Sequence, residues 1–183
     1  MRSVTDVDPG SIRWVRSHDD RHEYDLESGD DVLATLRWDG AVGSRATAES
    51  ALGRWTLKRS GFLNPLIVVR DAGTGKDIAH LRAHPSHSSL ILSDGQRLEW
   101  NRAGLMVPGW HFVDAKGREI VSFEPGRVNL KLEGGLVTIS PEGRRLPELT
   151  LMLIVGWYFI ALAWIEDQAV AASSALLGAT VGP

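Results

Sequence analysis

Residues 149–165 read LTLMLIVGWYFIALAWI, a run of 17 positions without one charged side chain. Such a run has to be withdrawn from water, either inside a bilayer or inside the protein's own core, and that choice governs what the rest of the chain can fold into. Local features favour the core. Pro147 suits a first helical turn, where its missing N–H is no loss, and Glu148 complements the positive end of the helix dipole. The run lies at the short limit of the roughly 17–25 residues that span a bilayer, and Glu166 and Asp167 follow at once. Trp157, Tyr158 and Phe159 sit at its centre, whereas membrane helices place Trp and Tyr at the two interfaces. Gly156 costs about 1 kcal/mol of helix propensity and signals the close approach of another backbone. The expectation is a buried helix over about 148–168, with Pro147, Gly156, Trp157, Tyr158 and Trp164 as its structural residues.

The preceding residues have a different period. Over 11–140 apolar side chains recur at every second position in short runs divided by Gly, Asp and Asn, the pattern of an antiparallel meander. SSLIL and RLEW flank Ser93-Asp94-Gly95-Gln96, where Asp-Gly suits a type I′ turn. NLKLE and LVTIS flank Gly134-Gly135, a second predicted hairpin. Looser turns fall at 71–75 and 114–117. In RWTLK, Trp55 and Leu57 share one face and Arg54, Thr56 and Lys58 the other.

The sum is about a dozen strands, too many to remain open without exposing two pairing edges, so a closed barrel is expected. A barrel of that size is wider than its own side chains fill, and the apolar helix is the available filler. The predicted fold is mainly β, a closed antiparallel barrel of about twelve strands around a C-terminal hydrophobic α-helix. It comprises an N-terminal extension over 1–10, one domain over 11–168, and a partly disordered tail over 169–183.

Composition excludes several classes of chemistry. There is no cysteine among the 183 residues, hence no disulfide, thiolate nucleophile or cysteine metal site. The net charge of −3 argues against a nucleic-acid binder. Charge is uneven: residues 1–40 sum to −5, 41–145 to +5 and 146–183 to −3. The N-terminus lacks the apolar core of a secretory signal, so a cytoplasmic protein, peripheral to membranes at most, is expected.

Candidate chemistry is sparse. His80, His84 and His87 are the one histidine cluster, but Pro85 and the strand pattern forbid the helix that would align them, and no metal or other cofactor is expected. Asp19, Asp20, Glu23 and Asp25 read as a solvated acidic segment, and 73–76 (GTGK) lacks the full phosphate-loop spacing. His111 reads as a strand residue. Arg54, Lys58 and Arg59 form the densest basic group and are the candidate contact for anionic lipid. No catalytic constellation emerges.

A strand-rich meander followed by an all-apolar helix, with GRWTL at 53–57 and a Pro-Glu-Leu…Gly-Trp-Tyr helix over 147–158, resembles the tubby C-terminal-like superfamily. That superfamily includes tubby domains, phospholipid scramblases and LURP-one-related proteins, and the likeness is greatest to its bacterial members. The resemblance covers about 11–168 and implies a twelve-stranded barrel around a central helix. Scramblase-like relatives carry a cysteine cluster that this chain lacks, and no tubby phosphoinositide residue aligns, so neither activity is carried over. The functional expectation is a non-enzymatic barrel binding phospholipid or a protein partner. The alternatives are a tail-anchored membrane protein with 149–165 in the bilayer, or a lipid or small-molecule binder using a cleft beside the helix.

Overall fold

The structure, a computed structural model, describes residues 1–8, 11–17, 23–40, 43–61, 65–83, 88–102, 109–128 and 131–179. Twelve strands follow one another up and down: β1 Ile12–Arg16, β2 Glu23–Ser28, β3 Asp31–Trp38, β4 Ala46–Ser50, β5 Gly53–Ser60, β6 Leu66–Asp71, β7 Asp77–Arg82, β8 Ser88–Leu92, β9 Arg97–Arg102, β10 Trp110–Val113, β11 Glu119–Val128 and β12 Lys131–Ile139. Each pairs antiparallel with its sequence neighbours, and β1 pairs with β12 through Arg13↔Leu136, Trp14↔Gly135 and Val15↔Gly134. The barrel is therefore closed and has no free edge. One helix, α1 Leu149–Ala179, completes the fold.

Two turns differ from the sequence reading. The β8–β9 turn closes one residue early: the Gly95 N–H donates to the Leu92 carbonyl at 2.9 Å and Gly95 takes φ +86°. Ser93-Asp94 is thus the centre, with glycine in the left-handed position after it. The larger correction is at Gly134-Gly135. No hairpin forms there; β12 runs straight through both residues, and the two strands read from the sequence are one.

The reason is the lack of space on both sides of β12. A Cβ on Gly135 would lie 2.9 Å from the Trp157 ring and 2.7 Å from the Glu124 carbonyl oxygen, and one on Gly134, at φ +153°, would run into the Trp14 carbonyl. Gly135 thins the wall where the helix presses its largest side chain against it, and Gly134 lets β12 lie close to the backbone of β1.

The helix occupies the lumen. Inward positions of the strands and the first turns of α1 form one hydrophobic core in which Leu26, Leu36, Leu57, Phe112, Phe123, Met152, Leu153, Ile154 and Trp157 are all fully buried. Trp157 stacks on Trp14 with centroids 5.8 Å apart and meets the Tyr24 ring edge-on at 5.6 Å. Tyr158 stacks on Trp38 at 5.4 Å. Gly156 faces rings rather than the backbone expected from its propensity: a Cβ there would sit 2.5 Å from Phe123 and 3.1 Å from Trp100. Among the described residues the indole N–H groups of Trp14, Trp38, Trp100 and Trp157 are buried without an acceptor, so this aromatic packing outweighs a real polar cost.

Both helix ends depart from expectation. Pro147 lies in the turn that precedes the helix, whose first i→i−4 bond runs from the Met152 N–H to the Glu148 carbonyl at 3.0 Å. At the far end the helix continues past Gln168 to Ala179. The stretch Leu149–Gln168 is long and apolar enough to cross a membrane, yet 72% of its apolar 18-residue window is buried inside the protein. At the N-terminus, Val4 joins the same core at 2% exposure, and Arg2 pairs with Asp31 at 2.7 Å.

One tyrosine ties the helix to the wall and the other ties β2 to β12. The Tyr158 hydroxyl donates to the Ser44 carbonyl, and the Tyr24 hydroxyl donates to the Leu132 carbonyl at 3.2 Å. Burial pushes both phenols up, Tyr24 to about 12. A phenol that ionises near 10 when unfolded but only near 12 when folded stabilises the native state fully below pH 10. That stability drains away as pH rises through the interval, by about 1.4 kcal/mol per pH unit for each tyrosine. Denaturant midpoints should hold steady up to about pH 10 and then fall steeply, with tyrosinate absorbance appearing only on unfolding. Free titration of both phenols near pH 10 in the folded protein would contradict this packing.

Candidate functional site

Odd-numbered strands run towards the end of the barrel from which α1 emerges, and the inner face of four of them changes character there. In β1 the inward series is Ile12, Trp14, Arg16; in β5 Trp55, Leu57, Arg59; in β9 Leu98, Trp100, Arg102; in β11 Phe123, Pro125, Arg127. Alternation turns every second residue inward, so the apolar stripes that line the lumen end in a rim of guanidinium groups.

Two of these arginines are neutralised. Arg16 lies 3.5 Å from Glu133, and Arg59 pairs with Glu166 of α1. Among the described residues the other two have no carboxylate partner and lie over indole rings. Arg102 is 5.7 Å from the Trp110 centroid, and Arg127 is 4.8 Å from that of Trp164. Planar guanidinium stacks on an indole while its N–H edges stay available to a ligand.

Between this unpaired pair and the helix lies a cleft of about 420 Å³, a size within the roughly 300–1,000 Å³ of small-molecule sites. Its floor is buried Trp100, Leu132 and Ile160; its walls are half-buried Trp110, Phe159 and Trp164; its mouth is exposed Arg102, Arg127, Ala163 and Asp167. Trp100 and Trp110 stack at 5.6 Å, and Phe159 meets Trp100 at 5.9 Å. The polarity gradient is thus apolar and aromatic at depth and cationic at the lip, with one carboxylate among the cations.

The candidates read from sequence fall elsewhere. Arg54 and Lys58 share the outer face of β5, where Arg54 pairs with Glu49 of the neighbouring strand, whereas Arg59 turns inward to the rim. The three do not form one patch. His80 is on the outer face of β7, 3.6 Å from Asp77, while His84 and His87 lie outside the described residues. No group of three potential metal ligands occurs among the described residues.

His111 sits 3.1 Å from Glu119 on the barrel exterior. Of the acidic segment, Glu23 is held bidentately by Arg37 at 2.8 and 2.9 Å. Asp25 is held above the usual carboxylate range, first by partial burial and then by Glu23 and Glu27 on either side. Asp19 and Asp20 are outside the described residues. Residues 73–76 form a turn in which the Asp71 carboxylate accepts from the Thr74 N–H and hydroxyl, both at 2.7 Å. Trp157, Tyr158 and Gly156 serve the core, and Trp164 serves the cleft.

Compared with known protein families, curated proteins and solved structures, the chain matches none. Its chemistry therefore has to be read from its own residues. Of the rim arginines only Arg59 was singled out from the sequence; Arg16, Arg102 and Arg127 were missed although a signal was present, since Trp14-x-Arg16 and Trp100-x-Arg102, like Leu57-x-Arg59, each continue an inward parity into a cation.

Proposed function

We propose that this barrel is a non-enzymatic binding protein that accepts an apolar or amphipathic small molecule, a lipid foremost, in the cleft beside its helix. The observation that carries the reading is the cleft's layering, with buried Trp100, Leu132 and Ile160 beneath three half-buried aromatic rings and an open cationic lip. Apolar walls with a few placed polar groups are the usual composition of such sites. The described lining residues offer arginines and one aspartate as their ionisable groups and bring no nucleophile beside a base, which favours holding a molecule over transforming it. The closed twelve-stranded barrel with its helix last is also what kinship with the tubby C-terminal-like superfamily would give, and we keep that kinship as a proposal. A cytoplasmic site of action at or near a membrane suits a ligand of this kind.

The test uses a neutral apolar fluorophore, N-phenyl-1-naphthylamine, titrated into the full chain. Saturable single-site enhancement is expected, and Ala163→Trp, which fills the mouth from an exposed helix position, should weaken it by about tenfold or more without lowering the melting temperature. Enhancement that never saturates, or that Ala163→Trp leaves unchanged, removes the cleft as the site.

A further inference from the structure

Resting on that reading, we infer that the cleft selects amphiphiles with an anionic head: a carboxylate or phosphate held by Arg102 and Arg127, with the apolar chain on the Trp100, Phe159 and Ile160 surface. Three observations converge on it. Of the four arginines that end the inward stripes at this rim, Arg16 and Arg59 have carboxylate partners and only the two at the cleft mouth have none among the described residues. A cation left unpaired beside neighbours that are paired leaves one end of the rim positive and open.

Second, an aromatic pocket with a carboxylate could equally suit a quaternary ammonium, but here the indoles of Trp110 and Trp164 already carry guanidinium groups. The cation position is filled from within the protein. Two guanidiniums against the single Asp167 carboxylate leave the mouth net positive.

Third, each guanidinium lies over a ring, at 5.7 Å and 4.8 Å from its centroid, a contact that restricts the side chain and lowers the entropy lost when its N–H edge grips an oxyanion. Charge-assisted hydrogen bonds from such a pair are about twice as strong as neutral ones, so head-group charge, not chain length, is the main discriminator.

The probes are dodecanoate, dodecanol and dodecyltrimethylammonium, each titrated below its micelle concentration into the full chain and followed by tryptophan fluorescence. Dodecanoate should bind about tenfold or more tighter than dodecanol, with a preference that shrinks as salt rises. Arg102→Gln/Arg127→Gln should bring the two within about threefold, while Arg102→Lys/Arg127→Lys should keep the preference. Equal affinity for dodecanoate and dodecanol, both blocked by Ala163→Trp, overturns the charge selection and leaves the cleft reading intact. A preference that survives the Gln pair, or tightest binding of the ammonium, also overturns it. No binding by any of the three overturns both. Phosphatidylglycerol vesicles, with phosphatidylcholine as control, separate the two sources of such a head. Capture lost in the Gln pair assigns it to phospholipid, and dodecanoate binding without capture assigns it to a free long-chain acid; either supports the inference.

Discussion

Gly156→Leu should cost about 3 kcal/mol or more, and Gly156→Ala should also be destabilising although alanine is the better helix former. A Cβ at this position already meets Phe123 at 2.5 and 2.7 Å and Trp100 at 3.1 Å. These rings cannot swing aside, because Phe123 is packed against Phe112 and Trp100 at centroid distances of 6.3 and 5.5 Å. Overpacking of this kind costs about 1–3 kcal/mol, and a 2.5 Å approach to a packed ring belongs at the upper end of that range, above the roughly 1 kcal/mol of helix propensity that alanine returns. For a chain this long the leucine variant should melt roughly 6–12 °C lower. A helix facing lipid or solvent would respond with the opposite sign, so a Gly156→Ala variant that melts higher would contradict the packing.

Removing the helix should abolish folding. A fragment ending at Pro147 loses the buried aliphatic side chains of Leu149, Leu151, Met152, Leu153, Ile154, Val155, Ile160 and Leu162, besides Trp157 and Tyr158. At about 1.5–3 kcal/mol for each buried aliphatic, the loss is on the order of 10–25 kcal/mol, as large as or larger than the roughly 5–15 kcal/mol by which a domain of this kind is stable. It would also leave Trp14, Tyr24, Trp38 and Phe123 facing an unfilled lumen. The fragment should collect as insoluble material or lack a cooperative transition. A soluble 1–147 fragment with a single sharp melt would mean that the barrel supports itself and that the helix is an addition to it.

The architecture was legible because each level of the sequence carried its own period. Alternation over 11–140 gave the strands their faces, and an uncharged run of 17 residues had to be a helix withdrawn from water, with its central aromatics favouring the core over a bilayer. Closure followed from strand number. What misled was glycine: Gly134-Gly135 has the composition of a hairpin, but Gly134 admits the Trp14 backbone of β1 and Gly135 admits the Trp157 ring, requirements set by residues far away in the chain. Gly156 was read correctly as a close approach, with the approaching group wrong. Its neighbours are rings from β9 and β11, which local propensity does not encode.

The candidate site was less legible for the same reason. Arg54, Lys58 and Arg59 stood out by density along the chain, yet alternation sends them to opposite faces of β5. Arg102 and Arg127 are isolated in sequence and meet at one cleft only because four sheet neighbours, β9 to β12, bring them beside α1. The extension of α1 past Gln168 was hidden in small residues, whose weak pattern gives no amphipathic face to read.

All of this rests on the apolar helix being the core of the barrel. The most direct test is to express the full chain without detergent, separate membranes by ultracentrifugation and wash them at alkaline pH. Monodisperse protein in the supernatant, with any membrane-bound fraction released by the wash, is the expected result for a helix enclosed by twelve strands. Protein that stays in the membrane after the wash would place the Leu149–Gln168 stretch in the bilayer and contradict the fold from its centre outward.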